Sequence, residues 1–228
     1  MKKSAKIAGI IFIILAVLDV AFIAAGVNSA HFYIKPLLIP ALAAAALLSL
    51  LPEHKSRLVC LLAIGMLFHT MGDDFLLFDS KGFIYFALGL ASFLIGHIFY
   101  LLVLSNGIGK LKGWKELLTL ALPLILAPCF AHLFGADKTM TVVLSVYAYA
   151  LLAIIAVGVL WAIRKRPFAC RIILGGIIFI ISDSLIGINA FAGLDFPMRG
   201  MLIMATYLVA EWLLVSGMTR WLISRQSK

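Results

Sequence analysis

The chain has 228 residues, of which 64% are hydrophobic and only 13% charged, and its formal net charge is +9. Soluble domains carry about 25% charged residues, so a water-soluble core is excluded as the home of this much apolar side chain. The positive charge gathers at the ends of apolar runs, where it orients membrane helices; nucleic acid is not expected as a partner.

Eight apolar runs can be drawn, at about residues 7–25, 36–51, 57–71, 83–104, 114–133, 139–164, 168–191 and 199–223. A helix needs roughly 20 apolar residues to cross the hydrocarbon. The runs therefore predict an all-α fold, a polytopic bundle of eight transmembrane helices forming a single domain over residues 1–228. Fifteen of the nineteen Lys and Arg residues fall at the termini or in alternate gaps between runs. Cytoplasmic loops are enriched in these residues, so both termini are expected in the cytoplasm, and the membrane would be the plasma or inner membrane in a bacterium.

The first run follows Lys2, Lys3 and Lys6 and so imitates a secretory signal. It exceeds the roughly 7–15 apolar residues of a signal core and contains Asp19, which makes it a retained first helix. Lys35-Pro36 is expected to open the second helix, since Pro is tolerated in a first turn, and Pro52 to close it. Pro40, Pro123 and Pro128 fall inside helices, where freed carbonyls need another partner. Asn106-Gly107-Ile108-Gly109 reads as a turn, and Arg164-Lys165-Arg166-Pro167 as a basic stop before the seventh helix. Cys60, Cys129 and Cys170 form no CxxC pair and read as small packing residues inside helices. No disulfide, metal site or cofactor is expected, and nothing in the pattern specifies an oligomer.

Ionisable groups within a bilayer are costly unless paired or wetted, and each is a functional candidate by default. The candidates are Asp19, His69, Asp73, Asp74, His97, Asp183 and Glu211. Helical spacing puts His69 and Asp73 on one face, as it does Tyr207 and Glu211, and His97 and Tyr100. Asp73 and Asp74 point about 100° apart, so one of them aims into a cavity and the other aside. Ser182 and Asn189 share a stripe beside Asp183. Counting residues from the helix starts places Asp73 and Asp183 at similar depth, which predicts one polar cavity opening outward. Asp19 and His69 also read as hydrogen-bond partners between helices without chemistry, and Asp74 and Asp79 as solvated loop residues. Lys35 is either an interfacial anchor or a phosphate contact. Tyr33, Tyr85 and the Trp residues near helix ends read as the interfacial aromatic belt, and one of Tyr147 and Tyr149 is expected to face the cavity. Gly72-Asp73-Asp74-Phe75-Leu76 and Ser182-Asp183-Ser184-Leu185-Ile186 share a small-Asp-x-x-aliphatic pattern, as a parallel duplication of four helices would produce.

Taken together, these segments resemble the YhhN family of lysoplasmalogenase-like integral membrane proteins. Lys35-Pro36-Leu37-Leu38 with Pro40 resembles its Lys-Pro-Leu segment, and Gly72-Asp73 followed by Leu76 its Gly-Asp-x-x-Leu. Phe86, Gly89, Phe93, His97 and Tyr100 match the next helix position by position. Tyr147, the stretch from Gly175 through Phe179 to Ser182-Asp183-Ser184, and Tyr207 complete the likeness. Glu211 stands where the family is expected to carry Gln, which adds an ionisable group. The resemblance implies a hydrolase that opens the vinyl ether of lysoplasmalogens, releasing a fatty aldehyde and glycerophosphoethanolamine or glycerophosphocholine. Its partners would be the lysophospholipid substrate and membrane lipids. Asp73 and Asp183 would be the catalytic pair, with either one as the acid. Lys35, His97, Tyr100, Tyr147, Ser182, Tyr207 and Glu211 would bind substrate or water, with Asp19, His69, Asp74 and Asn189 as further candidates. The same acids also suit a proton-coupled transporter, and a lipid-binding or assembly protein is a third reading.

Overall fold

The computed structural model describes residues 3–50, 56–135 and 137–226. Among them are eight α-helices: α1 Lys3–Ala24, α2 Asn28–Leu50, α3 Arg57–Leu76, α4 Phe83–Ser105, α5 Trp114–His132, α6 Lys138–Ile163, α7 Ala169–Ala192 and α8 Arg199–Gln226. A short 3-10 turn, Asp79–Lys81, lies between α3 and α4, and no strand occurs among the described residues. All eight helices are long and apolar enough to cross a membrane. The chain is a multi-pass integral membrane protein.

α2 and α3 extend furthest past their apolar runs, and both extensions bear on the site. α2 begins at Asn28 rather than at Lys35-Pro36, so Pro36 and Pro40 both lie inside it. Proline lacks the N–H that an interior helical residue donates to the carbonyl four residues back. The carbonyls of Phe32 and Pro36 are therefore released from the α2 ladder. Lys35 consequently sits within a membrane-spanning helix instead of at its mouth. α3 continues to Leu76 and carries Asp73 and Asp74 as helical residues, whereas Asp79 is exposed beyond its end. The proposed stop at Pro52 lies outside the described residues.

Helix ends are fixed by local chemistry. The Ser56 hydroxyl caps α3 by accepting from the Val59 N–H, and the Asp137 carboxylate caps α6 by accepting from Met140 N–H at 2.9 Å. Such caps satisfy donors that lack an intrahelical partner. α7 ends at Gly193, whose φ of +65° suits the left-handed residue that commonly closes a helix.

By its internal contacts the chain divides into two compact units, Met1–Val103 with Thr219–Lys228, and Leu104–Met218. In the first, α1 packs on α2 and α2 on α3, while glycines bring α3 and α4 together. A Cβ at Gly65 would meet the Tyr100 ring at 2.8 Å, and one at Gly72 the Phe93 ring at 2.9 Å. In the second, α5 packs on α6 and α6 on α7. α7 approaches α8 through Gly175 against Leu214, and through Gly217 of α8 against Ile172.

Tyr33 and Trp114 are exposed, as an aromatic belt requires, but Trp161 and Trp221 are buried. Trp161 lies over Gly107, and its indole N–H donates to the Leu104 carbonyl at 3.2 Å. The glycine leaves room for the ring, so this tryptophan belongs to the core instead of the belt. Cys60, Cys129 and Cys170 are all exposed, contrary to their expected packing role; a helix apolar on every side gives no sign of which face turns inward.

Candidate active site

In the first unit α2 serves two acids on different helices. His31 reaches Asp19 of α1, with Nδ1 2.8 Å from Oδ1. One turn further on, Lys35 reaches Asp73 of α3, with Nζ 3.6 Å from Oδ1. Asp19, Lys35 and Asp73 are all buried. A charge in low dielectric is costly without a counter-charge, so the ammonium and the carboxylate each depend on the other. Lys35 also acts electrostatically on Asp74, which is half-buried.

One turn before Asp73 begins a buried layer of rings. His69, one turn earlier on α3, stands edge-on to Phe93 at 5.5 Å. Its ring centroid is 4.7 Å from that of His97 and 4.7 Å from that of Tyr100. Gly96 makes this possible, since a Cβ there would occupy the space of the His69 ring. His69, His97 and Tyr100 are fully enclosed. The structure thus brings Lys35, His69, Asp73, His97 and Tyr100 together within one unit.

The second unit holds a matching cluster. The Tyr147 hydroxyl donates to Asp183 Oδ2 at 2.7 Å, while Tyr149 turns outward and is partly exposed. Glu211, fully buried on α8, acts electrostatically on both Asp183 and Tyr147. Tyr207, one turn before Glu211, stands perpendicular to Phe179 at 5.6 Å, and Phe179 is one turn before Asp183. The Ser182 hydroxyl donates to the Ile203 carbonyl of α8 at 3.1 Å. Asn189 instead donates to the Leu194 carbonyl at 3.4 Å, at the end of its own helix. Ser182 and Asn189 therefore engage different partners despite their shared stripe.

Three features escaped the sequence reading. His31 was passed over because the stretch before Pro36 reads as a loop; with α2 starting at Asn28, His31 and Lys35 fall four apart on one face. Phe93 and Phe179 were named as positions of the family likeness but carried no sign of their perpendicular partners. The third feature is an ion pair between α5 and α6. Arg164 Nε donates to Glu116 Oε1 at 2.9 Å, and Arg164 Nη2 to the Lys110 carbonyl at 2.8 Å. Glu116 also accepts from the Lys112 N–H at 2.7 Å. The hydrogen bond to Glu116 holds the Arg164 guanidinium above its ordinary pKa. A lone acid amid Lys110, Lys112 and Lys115 was the available signal.

Comparison with known proteins adds two findings. The model of a family described as the YhhN family matches residues 30–218, a span that takes in Lys35, Asp73, Asp183 and Glu211. A human protein, lysoplasmalogenase TMEM86A, is 32% identical over 158 residues, covering 66% of this chain and 61% of its own length. The chain thus spans about three-fifths of that curated relative. No solved structure matches the chain significantly.

Proposed function

We propose, for a chain that belongs to the YhhN family, that it hydrolyses the vinyl ether of lysoplasmalogens within the membrane. The reading is supported by a relative named a lysoplasmalogenase and by two acids, each held by a polar partner inside a membrane helix. The second observation carries it, because an acid that protonates the ether on carbon and a carboxylate that stabilises the resulting cation are the groups this hydrolysis uses.

The reaction begins with protonation of the ether's β carbon, which leaves an oxocarbenium ion. Water adds to that cation and gives a hemiacetal, which collapses to a fatty aldehyde and a glycerophospho-alcohol. One carboxylic acid must deliver the proton, and one carboxylate must stabilise the cation and steer water. Positioned general acids contribute typically 10²–10⁴-fold, so electrostatic stabilisation of the cation supplies much of the remainder. Asp73 and Asp183 fill these two roles. Lys35, His97, Tyr100, Tyr147, Ser182, Tyr207 and Glu211 hold the head group, the water or the acids themselves. The alkenyl chain lies among apolar side chains in contact with lipid.

The test is to incubate detergent-purified protein with a 1-alkenyl lysophospholipid and with its saturated alkyl ether. The reading expects stoichiometric aldehyde and glycerophospho-alcohol from the alkenyl lipid and none from the alkyl ether, which cannot be protonated on carbon. A transporter using the same acids as a proton relay would release no aldehyde from either, and that result would overturn the proposal.

A further inference from the structure

The two acidic clusters have the same internal geometry. Gly65 lies eight residues before Asp73, and Gly175 eight before Asp183. A Cβ at Gly65 would lie 3.2 Å from the Gly96 carbonyl and against the side chain of Tyr100, four residues on. A Cβ at Gly175 would lie 3.2 Å from the Ala210 carbonyl and against Leu214, again four residues on. One turn before each acid is a ring that meets a perpendicular partner on the following helix, His69 on Phe93 at 5.5 Å and Phe179 on Tyr207 at 5.6 Å. One residue before each acid is a small residue against that same helix. Gly72 has its carbonyl 3.4 Å from a Cβ at Gly89, and Ser182 donates to Ile203. In this register Gly89 matches Ile203, Phe93 matches Tyr207, Gly96 matches Ala210, and His97 matches Glu211. Shared contacts at so many matched positions are what a tandem copy of one four-helix unit produces, α1–α4 repeated as α5–α8.

The copies differ at the position that touches the acid from the second helix. It is Lys35 in α2 and Tyr147 in α6. We infer that this single equivalent position divides the labour in the reaction proposed above: Asp183 delivers the proton, and Asp73 remains the carboxylate that stabilises the cation. An ammonium 3.6 Å from Asp73 makes an ion pair, and an ion-paired carboxylate has no proton to give. A phenol brings no positive charge to Asp183. The other titratable groups around Asp183 in its own half are Glu211 and Tyr207, both on α8, and Glu211 brings a second carboxyl. None of these groups carries a positive charge, so none of them pairs with Asp183 as Lys35 pairs with Asp73. Around Asp73 the corresponding groups are Lys35 on α2, His69 and Asp74 on α3, and His97 and Tyr100 on α4, and Lys35 is the cation that the other half lacks at the equivalent position.

The experiment makes the second half resemble the first. Purified Tyr147→Lys is compared with Tyr147→Gln, a neutral polar control, for aldehyde release from a 1-alkenyl lysophospholipid. Tyr147→Lys is expected to fall at least about 10²-fold below Tyr147→Gln, the lower range of a general acid's contribution. Equal rates in the two variants would overturn the inference. In case Tyr147→Lys does not fold, the pH profile of kcat/KM is measured for Asp73→Asn and Asp183→Asn. The alkaline fall of the wild type is expected to persist in Asp73→Asn and to disappear from the residual activity of Asp183→Asn. The reverse assignment would overturn the division of roles while leaving the hydrolase reading intact. Wild-type protein that releases no aldehyde would remove both.

Discussion

At the scale of single residues, the Lys35–Asp73 pair shows how a costly group is tolerated in an apolar chain. Both side chains are buried, and removing one partner of a buried pair typically costs about 3–5 kcal/mol because a charge is left without compensation. Lys35→Met is therefore expected to lower the thermal midpoint in detergent strongly. Adding Asp73→Leu to that variant should recover most of the loss, as the abandoned charge is then gone. Additive losses in the double variant would show that the pair is not the source of the effect. The polar residues themselves were legible: Asp19, Lys35, Asp73, His97, Asp183 and Glu211 stand out wherever the surrounding sequence is apolar. Their partners were less so. His31 looked like a loop residue and Phe179 like any other core ring, because a sequence shows that a buried polar group needs a partner but not which helix supplies it.

At the scale of helices, close approach depends on a few glycines. Gly96 admits the His69 ring between α3 and α4, and Gly175 lets α7 reach the Ala210 backbone of α8. Overpacking of this kind costs typically about 1–3 kcal/mol, occasionally more. Gly96→Leu should exceed that range, since the added side chain meets an aromatic ring with no room to withdraw. Gly113→Ala is the matched control: no atom lies within 4 Å of its added Cβ. The measurement is the loss of monodisperse protein on heating, and equal midpoints for the two variants would contradict the packing described. The helix count and most helix ends follow from apolar runs. The error at the start of α2 has a physical cause: polar residues that are satisfied by neighbouring helices look, in sequence, like residues in water. Lys35 was taken as a boundary and lies inside α2.

At the scale of the whole molecule, the distribution of Lys and Arg predicts which ends face which side. In a background lacking the three native cysteines, a cysteine at Ser80, exposed between α3 and α4, should react with a membrane-impermeant thiol reagent added to intact cells. A cysteine at Lys110, exposed between α4 and α5, should react only after the membrane is opened. Labelling of both from outside would overturn the orientation. The spans were legible because a bilayer demands so much apolar length. The likeness between the two acidic clusters surfaced in the sequence only as five residues around each acid, since most of the matched positions are side chains meeting across helices rather than repeated letters.

The central claim is that this chain performs hydrolysis with Asp73 and Asp183. Its most direct test is the rate of aldehyde release by purified Asp73→Asn and Asp183→Asn, each checked for retained helical content and a single size-exclusion peak. Loss of a positioned carboxyl predicts a fall of at least about 10²-fold in each variant. Wild-type turnover in either correctly folded variant would contradict the account.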